Sequence, residues 1–199
     1  MSRIDLYWIP VGAGGREIVR ICARFYEIVA AALQRRKPQA LFHTALVITG
    51  GSARRVVECA WPAPDDDLSS RGVVAVGPVF TRGLGKLRIF RYEVRCWEDG
   101  VIADLGYAAT SLRISADDAT VERVVAAVAS VPNHCWGRDV LSTGEMWNSN
   151  SVISYALAIA GVPVADIEMP AGGRAPGWIS GIAAAVPEGM GPSATLFRQ

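Results

Sequence analysis

Trp147-Asn148-Ser149-Asn150-Ser151-Val152-Ile153-Ser154-Tyr155-Ala156-Leu157-Ala158-Ile159-Ala160 opens on small polar residues and runs on as an apolar block. Ser and Asn are favoured at helix N-caps, because their side chains satisfy backbone N–H groups that a first turn leaves without partners. The block behind them is long enough for a buried helix, and Gly161-Val162-Pro163 ends it. A helix N-terminus concentrates N–H donors and the positive end of the macrodipole, here around Ser149. Thiol hydrolases stabilise a thiolate at such a position. In this chain the position holds a hydroxyl. The plainer reading of the same residues is a cap that starts a core helix.

Upstream, Leu41 to Thr49 alternates like a strand, meets Gly50-Gly51, and returns as a strand from Arg55 to Trp61. A two-residue Gly50-Gly51 turn pairs Thr49 with Ser52 and brings His43 directly opposite Glu58. A shift by two keeps both on one face, whereas a slip of one would separate them. A carboxylate beside an imidazole fixes its tautomer and stabilises the imidazolium formed when it takes a proton. The same pair also serves as a plain cross-strand charge pair. The second histidine, His134, adjoins Cys135, but neighbours in sequence diverge in space and nucleophile–base pairs come from distant segments.

The remaining chain fits an α+β order. Leu6 to Ile9 reads as a strand and Gly12 to Gly15 as a loop without the Lys-Ser/Thr of a phosphate cradle. Arg16 to Arg35 is an amphipathic helix, with Ile18, Val19, Cys22, Phe25, Tyr26, Val29 and Leu33 on one side and Arg16, Arg20 and Arg24 on the other. Cys22 is expected in the core. Pro62 to Ser70 is a polar loop, Gly72 to Phe80 and Lys86 to Trp97 are strands, and Glu98-Asp99-Gly100 is a turn. Ser115 is expected to cap a helix reaching Ser130. The Gly/Pro-rich tail, 170–199, reads as a long ordered loop or lid, with Arg174 and Trp178 walling a cleft, or as a surface loop whose Trp178 plugs the core.

The chain has 199 residues and a net charge of +1, so a single domain spanning 1–199 is expected, without a field favouring nucleic acid. No apolar run approaches the ~20 residues of a membrane span, and the N-terminus lacks a signal-peptide pattern. A cytoplasmic protein is expected. Cys22, Cys59, Cys96 and Cys135 are widely spaced and lack a CxxC pattern, so neither a metal site nor a cofactor is expected.

Strand histidine, glycine turn, a Val-Val-Glu-Cys-Ala strand (56–60) and a late Asn-Ser-Asn-Ser helix start together resemble the circularly permuted NlpC/P60 (papain-like) superfamily. That group includes the lecithin:retinol acyltransferase-like, YiiX-like and DeSI-type proteins. The resemblance covers roughly Leu41 to Gly161. It implies a permuted papain-like fold, His43 as base, Glu58 as the orienting residue and Ser149 where the family carries its nucleophilic Cys. Asn148 and Trp147 would then flank an oxyanion site. The implied activity is hydrolysis or acyl transfer on an amide, ester or thioester, with a small-molecule, lipid or peptide substrate. The departure at Ser149 leaves three readings: a serine hydrolase, a relative without catalysis that binds through the same cleft, or a Cys→Ser substitution.

Overall fold

The computed structural model describes residues 2–15, 17–51, 53–62 and 68–186. Arg16, Ser52, the aspartates of the 62–70 loop and the tail beyond residue 186 lie outside them. Strands β1 (Arg3–Pro10), β2 (Ala40–Gly50), β3 (Ala53–Ala60), β4 (Val73–Pro78), β5 (Arg91–Glu98) and β6 (Thr110–Ser115) form one antiparallel sheet in the order β4-β5-β3-β2-β1-β6. A two-residue β7 (Gly173–Arg174) runs parallel to the start of β2. The helices are α1 (Glu17–Leu33), α2 (Asp118–Ala129), α3 (Ser149–Ile159) and α4 (Trp178–Ala184). Among the described residues no helix is long and apolar enough to cross a membrane.

The sheet has two differently covered faces. Leu6, Trp8, Leu46, Ile48 and Val57 join Val124 and Val128 of α2 and Val152, Ile153 and Leu157 of α3 in the main core. The alternate residues Ile9, Ala45, Val47 and Val56 face the other way, under a covering loop that carries Ile102, Leu105 and Ala108. This follows from the period of two along a strand: consecutive residues of β2 belong to different layers.

Several elements depart from the sequence reading. Gly50 pairs with Ala53, so the β2–β3 register is displaced by two from the expected one. The segment expected as one long strand from Lys86 begins instead as short 3-10 turns at Leu84–Lys86 and Arg88–Phe90, and extends only from Arg91. Asp117, not Ser115, caps α2, its carboxylate accepting from Thr120 N–H at 2.7 Å. Ser115 ends β6, a strand with no counterpart in the sequence reading.

As far as residue 186 the tail is packed on the body of the protein, and of the two readings of Trp178 the structure shows the plug. Trp178 opens α4, is 3% exposed, packs its ring 5.1 Å from that of Trp8 and donates Nε1–H to Val164 O. It plugs the main core. Gly181 lies against α3, where an added Cβ would collide with Ser151 O and Ser154 Oγ; only glycine lets the two helices approach this closely.

Candidate functional site

Asn148 is the N-cap of α3, and a capping box joins it to Ser151. Its carboxamide oxygen accepts from Asn150 N–H at 2.9 Å, while its amide donates to Pro176 O at 2.8 Å. Asn150 donates to Phe42 O at 3.0 Å and to Pro176 O at 2.8 Å, and accepts from Thr44 Oγ1 at 3.0 Å. Ser151 donates to Gly177 O at 2.7 Å, and Ser154 to Trp178 O at 2.7 Å. The loop between β7 and α4 is thus held by the polar head of α3. Gly177, at φ +92°, completes the fit, since a side chain there would meet the Asn148 carboxamide. Glu145 holds the loop's other side, accepting from Gly177 N–H at 2.8 Å and Ile179 N–H at 3.1 Å.

Ser149 is the exception in this network. It is buried at the first position of α3, and its hydroxyl makes no hydrogen bond to a described residue. Trp147 is fully buried, donating Nε1–H to Tyr92 Oη at 3.1 Å with the His134 ring edge-on at 4.8 Å. It is a core residue. Burial holds the His134 pKa below its ordinary value, consistent with that packed position.

The structure does not bring His43 to Ser149. His43 pairs with Ile9 of β1, whose side chain belongs to the loop-covered face. Its neighbour Thr44 pairs with Trp8 of the main core and reaches Asn150. Thr44 is therefore the β2 side chain that meets the head of α3. His43 points to the opposite side of the sheet, where Nε2 lies 2.9 Å from Asp104 Oδ2.

Glu58 shares that face with His43. Continuation of the β2–β3 register sets it opposite Ala45, one diagonal step from His43. Its partner is Arg95 at 3.5 Å, directly across from it on β5. Arg95 also bonds Glu93 at 2.7 Å, and Glu93 accepts from Arg71 at 3.2 Å. The orienting role foreseen for Glu58 thus falls geometrically to Asp104. Burial pushes the Glu58 carboxyl above its ordinary pKa and Arg95 opposes it; the Asp104 charge adds to the rise and His43 subtracts from it. His43, Asp104, Glu58 and Arg95 form one polar row, with His43 and Asp104 each about a quarter exposed.

Asp104 escaped the sequence reading because it lies in an irregular loop with no motif around it. The only local signal is the apolar spacing of Ile102, Leu105 and Ala108, which fastens that loop to the sheet. Arg174 meets Glu27 and Glu145, each at 3.7 Å, and Gln34 at 3.3 Å, so it ties β7 to α1 and to the loop before α3. Among the described residues no group of three or more His, Cys, Asp or Glu is arranged to hold a metal ion. No family model, curated protein or solved structure matches the chain.

Proposed function

We propose that the chain is a permuted papain-like (NlpC/P60) module that binds a ligand or protein without turning it over. The order of strand histidine, glycine turn and late Asn-Ser-Asn-Ser helix supports the relationship, as does α3 packing across the sheet. The observation that carries the loss of catalysis is Thr44. This threonine, bonded to Asn150, occupies the β2 position against the head of α3, and a threonine hydroxyl is no general base at neutral pH. Turning His43 to that side needs a one-residue slip of β2, which would move Leu46 and Ile48 out of the main core. The polar residues beside Ser149 are already engaged in holding the 175–178 loop. The exposed edge of the His43–Asp104–Glu58–Arg95 row offers polar groups for recognition instead.

One feature favours turnover: the Ser149 hydroxyl, at a helix N-terminus, has no partner among the described residues. A single experiment separates the readings. The chain is treated with a fluorophosphonate probe, and the Ser149→Cys variant with iodoacetamide across pH. The binding reading expects no labelling of Ser149 above background, and an introduced thiol of ordinary reactivity in the variant. Labelling that His43→Ala abolishes would overturn it and restore the hydrolase or acyltransferase reading.

A further inference from the structure

Helix α1 is mounted with its polar side inward. Among its described side chains Glu27 and Ala31 are the buried ones, and Glu27 is held by Arg36, by Gln39 N–H at 2.8 Å and by Arg174 at 3.7 Å. Successive residues of a helix are rotated by about 100°. Ile21, Phe25, Ile28, Val29, Ala32 and Leu33 therefore lie together on the side away from Glu27. The large ones are exposed: Ile21 at 60%, Phe25 at 69% and Leu33 at 80%. Cys22 is exposed on the same side. A run of five large apolar side chains along one helix face marks an interaction surface, not scattered exposure.

The charges around this face say what covers it. Residues 16–37 hold six Arg or Lys and two Glu, in a chain whose net charge is only +1. Arg24 is exposed, makes no contact with a described partner, and lines a cavity of about 400 Å³ between α1 and the start of β2. Arg20 lines the same cavity from the Glu27 side of the helix and is paired with Glu17 at 2.9 Å. An apolar helix face flanked by Arg24, in a segment with this excess of cations, matches the acyl–headgroup boundary of an anionic bilayer. Two copies of the chain packed through this face would bring the same basic segments together, at an electrostatic cost.

We propose that α1 seats the protein on an anionic membrane surface. Its apolar face enters the headgroup–acyl boundary, and Arg24, at the flank of that face beside Ile28, meets lipid phosphates. This surface is separate from the His43 row and does not depend on the binding reading above.

Vesicle co-sedimentation of the full chain tests this, with phosphatidylcholine vesicles compared with phosphatidylcholine–phosphatidylglycerol vesicles. The expected result is binding to the anionic vesicles that weakens as salt rises. Phe25→Ser should lower that binding by about tenfold. Arg24→Gln should lower it about fivefold and leave the weak binding to neutral vesicles unchanged. Alkylation of Cys22, read at the peptide level, should slow when anionic vesicles are added. Both substitutions sit on exposed side chains, and circular dichroism checks that the fold survives. Absence of vesicle binding by the unsubstituted chain overturns the proposal. So does a dimer in solution that Phe25→Ser dissociates while vesicles are ignored, which would assign the face to a second copy.

Discussion

Helices α1 and α3 are both rich in apolar residues, yet the fold uses them in opposite ways. In α3, Val152, Ile153, Ala156 and Leu157 are buried, and the polar head is consumed by β2 and the 175–178 loop. In α1 the apolar side faces outward, and a carboxylate with its cationic partners forms the anchor. Hydrophobic periodicity reports that a helix has two sides. It does not report which of them the sheet covers.

The comparison breaks most readily in the core beneath α3. Trp147→Ala should cost on the order of 3–5 kcal/mol, because a fully buried indole leaves a cavity and takes away the donor to Tyr92 Oη, which keeps its own bond to His134 O. Urea denaturation followed by circular dichroism measures it. A loss below about 1 kcal/mol, an outcome typical of surface sites, would mean that the head of α3 is not packed as described.

Next in size is Asn150→Ala. It removes the donor to Phe42 O and Pro176 O and the acceptor for Thr44, and should cost roughly 1–3 kcal/mol. Faster proteolysis within 175–178 should accompany the lower urea midpoint, since that loop hangs on the same amide. An unchanged midpoint with an altered probe reaction at Ser149 would return Asn150 to a chemical role.

Glu58→Gln acts through pH. Burial raises the folded-state pKa of Glu58 above its unfolded value, so the native state binds the extra proton in the window just above the ordinary glutamate range. Stability from this group is therefore present at the acid side of that window and is lost as pH rises through it. The amide cannot ionise, so the variant should lose that part of the slope and gain relative to the parent toward neutral pH. Thermal melts across the acid-to-neutral range read this out. A steeper slope in the variant would show that the Arg95 contact dominates instead.

The smallest effect is expected on α1. Phe25→Ser should change the unfolding free energy by no more than about 0.5 kcal/mol, since the ring is exposed. A large loss in the same urea titration would mean that the outward face of α1 is packed in solution, and would close the gap between the two helices.

Much of the skeleton was legible because it rests on local rules. The α1 repeat, the β2–β3 hairpin and the Asn-Ser head of α3 all depend on residues a few positions apart. Asp117 was missed as the α2 cap because Ser115 offered the same chemistry two residues earlier, and backbone extension through Ser115 decided between them. Cys22 was expected inside because apolar residues normally face the core; the buried Glu27 anchor reversed that. The His43–Glu58 neighbourhood came through as one shared face even with a displaced register. The partner of His43 did not, because Asp104 arrives from a loop sixty-one residues away with no motif to announce it.

By itself the sequence determined that β2 carries His43 and Thr44 on opposite sides, since the pleat alternates whatever surrounds it. It also determined that residues 148–151 start a helix. Which side of β2 receives that helix depended on long-range packing: Leu46 and Ile48 lie against α2 and α3, while Ala45 and Val47 meet the Ile102 loop. Only the tertiary structure made that choice, because burial of a face is a property of its neighbours and not of the strand. With it went the separation of His43 from Ser149.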